Sequence, residues 1–173
     1  MDLKSAIRSI PDFPKKGIVF RDITTLLLDP KAFVEALDRM YEFCNKRKVD
    51  KIIGIESRGF IFAGALADRL GVGLIPIRKE GKLPGETVAE AYDLEYGSAT
   101  IEIHADAIAP GESVVIVDDL IATGGTLKAT CHLVERMGGT VSGITVLIDL
   151  SFLPWHQKLG GYDILSLISY DSE

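Results

Sequence analysis

Val114-Val-Ile-Val-Asp-Asp-Leu-Ile-Ala-Thr-Gly-Gly-Thr126 decides how this chain folds. Four branched apolar residues in a row, 114–117, read as a strand buried on both faces. That is the pattern of a parallel sheet, not of a half-exposed strand that alternates. Thr-Gly-Gly-Thr then turns the chain, and residues 126–137 place apolar side chains at helical spacing until Gly138-Gly139 stops them. Strand, tight turn, helix is the repeating unit of an α/β fold.

The same rhythm continues on both sides. Asp29-Pro30 opens a helix, Asp suiting the cap and Pro the first turn. Phe33, Val34, Leu37, Met40, Tyr41 and Cys44 then share one helix face. Residues 51–56 read as a short buried strand, 59–70 as a helix ending at Gly71, and 73–78 as the next strand. Residues 79–85 break the pattern with charges, glycines and a proline and form a loop. Residues 87–96 and 100–104 read as a hairpin around Gly97-Ser98, and 140–150 and 162–169 as the last strands. The expectation is one α/β domain over 1–173, a mostly parallel sheet flanked by helices, without repeat or linker.

Composition narrows the function classes. A length of 173 residues suits a single domain, and 47% hydrophobic with 25% charged residues excludes wholesale disorder. Asp and Glu outnumber Lys and Arg by 25 to 19, a net charge of −6, so no basic surplus is available for a nucleic-acid backbone. Cys44 and Cys131 sit in apolar helical patterns and read as buried, reduced thiols. Residues 1–10 lack a signal peptide's apolar core, and no stretch approaches the roughly 18 apolar residues of a membrane span. These features predict a soluble, cytoplasmic protein with no membrane partner.

In open α/β sheets, ligands bind beyond the carboxyl ends of the strands. The string at 114–126 offers two different chemistries there. Unpaired N–H groups at the start of the helix, reached closely through Gly124 and Gly125, suit an anion, and Thr123 and Thr126 add hydroxyl donors. Asp118 and Asp119 repel phosphate but accept hydrogen bonds from vicinal sugar hydroxyls. Together they describe a site for a ribose 5-phosphate. The string is neither a Walker A loop nor a dinucleotide-binding turn, because no Gly-Lys-Ser/Thr follows the glycines and no G-x-G-x-x-G is present.

This string resembles the phosphoribosyl-pyrophosphate signature of the type I phosphoribosyltransferases. Further blocks resemble, in the same order, those of the adenine phosphoribosyltransferases. They are Pro11-Asp-Phe-Pro14, Gly17-Ile-Val-Phe-Arg-Asp-Ile-Thr24, Glu56-Ser-Arg-Gly-Phe60, Gly81-Lys-Leu-Pro-Gly85 and Leu94-Glu-Tyr-Gly97. The resemblance implies the type I phosphoribosyltransferase fold with a small hood, built from the N-terminal segment and residues 78–104. It implies transfer of a phosphoribosyl group to adenine, giving AMP and pyrophosphate, in purine salvage. By the same resemblance Asp118 and Asp119 hold the ribose hydroxyls, and Ala122, Thr123, Gly124, Gly125 and Thr126 the 5-phosphate. Arg58, Lys79 and Lys82 meet the pyrophosphate. Val19, Phe20 and Arg21 wall the adenine pocket, with Phe20 stacked on the purine. Glu95 manages the purine proton, with Tyr96 beside it. Mg²⁺ is the implied cofactor, carried by substrate and water without direct protein ligands, and a homodimer is the implied assembly.

Two other readings compete. A regulator that only senses phosphoribosyl pyrophosphate needs a DNA-binding appendage and a basic surface, and neither is visible in the sequence. An oxopurine phosphoribosyltransferase is not expected to carry the blocks at 20–24 and 56–60 together. The sequence also departs from the family pattern. Thr25 replaces a frequent proline, Glu80 follows Lys79, and Pro154-Trp-His-Gln-Lys158 stands where a Gly-Arg element is usual. That last segment lies outside the matching blocks and is expected to bear on stability or subunit contacts. His104, His132 and His156 are isolated from one another and suggest no metal or catalytic site.

Overall fold

Period-two alternation in the central strands divides the interior into two layers. In β3 (Lys51–Ile55) and β7 (Ser113–Ile121), Ile52, Val115 and Val117 pack into one core, while Ile53, Val114 and Ile116 pack into the other. Strands buried on both faces need helices on both faces. The computed structural model describes residues 1–94 and 96–173. On the first face lie α2 (Pro30–Asn45) and α3 (Gly59–Leu70), contributing Leu37, Met40, Phe62 and Leu66. On the second lies α4 (Gly125–Arg136), contributing Leu127, Leu133 and Val134.

The sheet extends on either side of this pair. β4 (Gly73–Lys79), β8 (Thr140–Leu150) and β9 (Ile164–Tyr170) join β3 and β7 in parallel. The hairpin β5 (Thr87–Asp93) and β6 (Ser98–His104) adds two antiparallel strands at one edge. The order is β5-β6-β4-β3-β7-β8-β9. β1 (Arg8–Ile10) and β2 (Phe20–Asp22) form a separate two-stranded antiparallel sheet, preceded by a 3-10 turn at Leu3–Ala6. Two short helices, α1 (Thr24–Leu28) and α5 (Trp155–Leu159), complete the fold. The α/β architecture with a mostly parallel, helix-flanked sheet is therefore as expected.

Three local differences have physical causes. The Asp29 carboxylate does cap α2, accepting from the Lys31 and Ala32 amides at 2.9 and 3.3 Å. Yet Val34 on that helix is exposed, and the buried stripe runs through Ala32, Ala36, Leu37, Met40 and Cys44 instead. Small alanines let the helix approach the sheet, and a reading weighted to large side chains rotates the face. Second, β7 continues beyond Val117 because β8 keeps pairing with it as far as Ile121 opposite Asp149. Asp118 and Asp119 therefore lie on a strand, not in a loop. Third, β1 and β2 are three residues each, too short to show a period.

Candidate active site

Burial of two adjacent carboxylates at the end of β7 sets the electrostatics of the site. Asp118 and Asp119 are only 9% and 6% exposed. An Asp118 oxygen accepts the Asp119 amide at 2.8 Å, and Asp119 Oδ2 accepts from Arg58 Nε at 2.5 Å. Burial pushes the Asp118 carboxyl well above the ordinary aspartate range, and the neighbouring Asp119 charge adds to the rise. The first residue of α3 has to be a glycine for this packing. A Cβ on Gly59 would stand 2.8 Å from an Asp118 carboxylate oxygen and 3.0 Å from the Val117 carbonyl.

Past the carboxylates the chain turns through Gly124, whose φ of +80° favours glycine, directly into α4. The amides of the first helical turn have no partner within the helix and carry the positive end of its dipole. They open on a cavity of ≈ 110 Å³ lined by Asp118 and residues 120–127. No basic side chain is among its lining residues, so an anion placed there would be met by backbone N–H groups and threonine hydroxyls. Its floor is α5. A Cβ on Gly124 would meet Trp155 Cβ at 3.2 Å and a Leu159 methyl at 3.3 Å. Thr123 also borders a cavity of ≈ 360 Å³ together with Asp93, Leu94, Leu153 and Lys158. The segment that departs from the family pattern thus lies against the loop at 122–124, rather than apart from it.

A second cavity, ≈ 330 Å³, is lined by Glu56, Ser57, Arg58, Lys79, Asp118, Asp119 and Thr126. It shares Asp118, Leu120 and Thr126 with the first. Its cations are Arg58 and Lys79, and among the described residues the Lys79 ammonium has no carboxylate within ion-pair distance. Lys82 is tied instead to Glu56 at 2.6 Å. The Glu56 carboxylate also accepts from the Lys79 amide at 2.9 Å and from Arg78 at 3.4 Å. These donors, Lys82 foremost, pull its pKa down to about 2.

The N-terminal sheet delivers the remaining candidates. The Phe20 ring lies 5.4 Å from the Arg58 guanidinium and meets Phe13 edge-on at 5.2 Å. Val19 and Arg21 flank it on the chain. Tyr96 is 86% exposed. Glu95 lies outside the described residues.

The structure thus gathers Arg58, Lys79, Asp118, Asp119 and 122–126 around two joined cavities and sets Phe20 against Arg58. Sequence reasoning left Glu56, Tyr92 and Trp155 without a role. Glu56 stood inside a matching block, but a lone carboxylate has no spacing that marks it as the partner of Lys82. Tyr92 receives a hydrogen bond from the Thr126 hydroxyl at 3.0 Å, and its ring lies 3.1 Å from where a Cβ on Gly125 would stand. Its alternation in β5 was the only available hint.

The family profile of the phosphoribosyl transferase domain matches residues 24–151. The adenine phosphoribosyltransferase of Desulfosudis oleivorans is 52% identical over 173 residues, covering 100% of both chains. The crystal structure of adenine phosphoribosyltransferase from Thermoanaerobacter pseudethanolicus superposes with a TM-score of 0.93 at 54% identity, covering 97% of this chain and 98% of that one. The Saccharomyces cerevisiae adenine phosphoribosyltransferase, solved with adenine and an imino-altritol bisphosphate, superposes with a TM-score of 0.89 at 41% identity, covering 95% and 96%.

Proposed function

The chain belongs to the phosphoribosyl transferase domain family, and on that footing we infer that it is an adenine phosphoribosyltransferase. It transfers the phosphoribosyl group of 5-phosphoribosyl 1-pyrophosphate to adenine, giving AMP and pyrophosphate in purine salvage. One observation supports the site assignment above the rest. Two polar cavities meet at Asp118 and Thr126, one built from helix N–H groups and the other carrying Arg58 and Lys79. A sugar phosphorylated at one end and pyrophosphorylated at the other needs that division.

In this reading Ala122, Thr123, Gly124, Gly125 and Thr126 hold the 5-phosphate through backbone N–H groups and hydroxyls. Asp118 and Asp119 accept hydrogen bonds from the ribose hydroxyls. Arg58 and Lys79, with Lys82 held nearby by Glu56, take up charge on the pyrophosphate as its bond to the anomeric carbon breaks. Val19, Phe20 and Arg21 hold adenine so that a ring nitrogen faces that carbon, and Glu95 takes the purine proton. The N-terminal segment and residues 78–104 act as hood and loop. Glu90 ties β5 to α4 through Arg136 at 2.7 Å and His132 at 3.2 Å, so closure falls mainly to residues 80–86.

Mg²⁺ fits the donor set as a passenger of the substrate. Asp118, Asp119 and Glu56 line the second cavity with hard oxygens. Magnesium keeps several waters and binds through one or two carboxylates and substrate phosphates. When bound, it would neutralise charge on the leaving group.

Two coarser features complete the proposal. A homodimer is part of the same proposal, as the family resemblance implies. A cytoplasmic location is part of the same proposal, and no helix among the described residues is long and apolar enough to cross a membrane. The test is AMP formation by the purified chain from adenine, 5-phosphoribosyl 1-pyrophosphate and Mg²⁺. Asp118→Asn with Asp119→Asn is expected to abolish turnover while leaving the circular dichroism spectrum unchanged. Wild-type turnover in that double variant would remove the ribose assignment.

A further inference from the structure

Among the described residues β2 pairs with β1 and with no strand of the seven-stranded sheet. The wall read above as the adenine pocket therefore has no backbone ladder to the strands that carry the ribose site. Its position has to be set by other contacts, and a group of them comes from the far end of the chain. The Arg21 guanidinium lies over the Tyr170 ring at 3.9 Å and donates to the Ser172 carbonyl at 3.3 Å. The Val19 amide donates to the Glu173 carboxylate at 3.1 Å. Lys4 covers the same ring at 4.4 Å and donates to the Ser169 carbonyl at 2.8 Å. Tyr170 itself is the last residue of β9 and is only 7% exposed, anchored in the core beneath α2.

We propose that Tyr170 and residues 171–173 are positioning residues for the adenine pocket, holding Val19 and Arg21 in place from outside. The proposal rests on reading 19–21 as the base wall. A cation over an aromatic face and a charged acceptor on an amide both resist displacement, and both act on residues adjacent to Phe20. The walls of the two phosphate cavities come from β3, β4, β7 and α4, and none of their lining residues lies in 170–173. The segment therefore acts on one substrate and leaves the other alone.

Steady-state kinetics with each substrate varied in turn tests this on variants of the chain. Deleting residues 171–173 removes both hydrogen bonds, Glu173→Gln weakens one, and Tyr170→Leu removes the ring under Arg21. Deletion and Tyr170→Leu are expected to raise the KM for adenine by about three- to tenfold, with the KM for 5-phosphoribosyl 1-pyrophosphate within about twofold of wild type. Glu173→Gln should move the same constant by less. Tyr170→Phe, which keeps the ring, should restore most of the adenine affinity. A general loss of stability would not separate the two substrates in this way. If Tyr170→Leu does not fold, the deletion decides. An unchanged KM for adenine, or equal shifts for both substrates, overturns the proposal while leaving the enzyme assignment standing. No AMP from the wild-type chain would overturn both together.

Discussion

At Glu56 the Lys82 ammonium, the Lys79 amide and the Arg78 guanidinium converge on one carboxylate. Removing its charge should free Lys82 and loosen the turn that presents Lys79. Glu56→Gln is expected to raise the KM for 5-phosphoribosyl 1-pyrophosphate by about three- to tenfold and to lower kcat as well. An unaltered KM would mean that the cluster is only structural. Glu56 has its pKa lowered to about 2, so its native interactions contribute stability above the ordinary carboxylate range. That contribution is lost as pH falls toward 2. Asp118 has the opposite sign. Burial raises its pKa, so the fold favours the protonated form, and stability present at low pH is lost as pH rises past the ordinary aspartate value. Asp118→Asn, neutral at every pH, should therefore raise the Tm above wild type at pH 8, and the gap should close below pH 4. A lower Tm at pH 8 would contradict the desolvation argument. The type and spacing of Asp118 and Asp119 were legible in the sequence. Their burial was not, because it depends on how far β8 keeps pairing.

Among the elements, the β7–α4 unit was the most legible, because a run of branched apolar residues, a glycine turn and a helical period agree there. The α5 segment was the least legible. It is five residues long, and its importance comes from lying under Gly124, a long-range contact that no local pattern reports. Gly124→Ala should show the consequence. An alanine at φ +80° costs about 1–2 kcal/mol, before its Cβ meets Trp155 and Leu159. At ~2–4 °C per kcal/mol for a chain of this size, the Tm should fall by several degrees. The KM for 5-phosphoribosyl 1-pyrophosphate should rise with it. A Tm within 1 °C of wild type would show that the loop relaxes away from α5. The same dependence on distant packing explains α2, where the position of the sheet, and not the size of the side chains, decides that Val34 faces outward.

For the whole molecule, the fold class followed from the alternation of strand and helix patterns, and the parallel sheet from strands apolar on both faces. What the sequence could not show is how the small N-terminal sheet is placed. Its three-residue strands carry no period, and its position depends on Arg58 against Phe20 and on the clasp of Tyr170 on Arg21. The division into two polar cavities that share Asp118 and Thr126 is likewise a property of the assembled chain. The most direct measurement is pyrophosphate release from 5-phosphoribosyl 1-pyrophosphate and Mg²⁺, with adenine, hypoxanthine, guanine and xanthine offered in parallel. Release with adenine alone is the expected result. Release with an oxopurine instead, or with no base at all despite tight binding of the sugar pyrophosphate, would contradict the account.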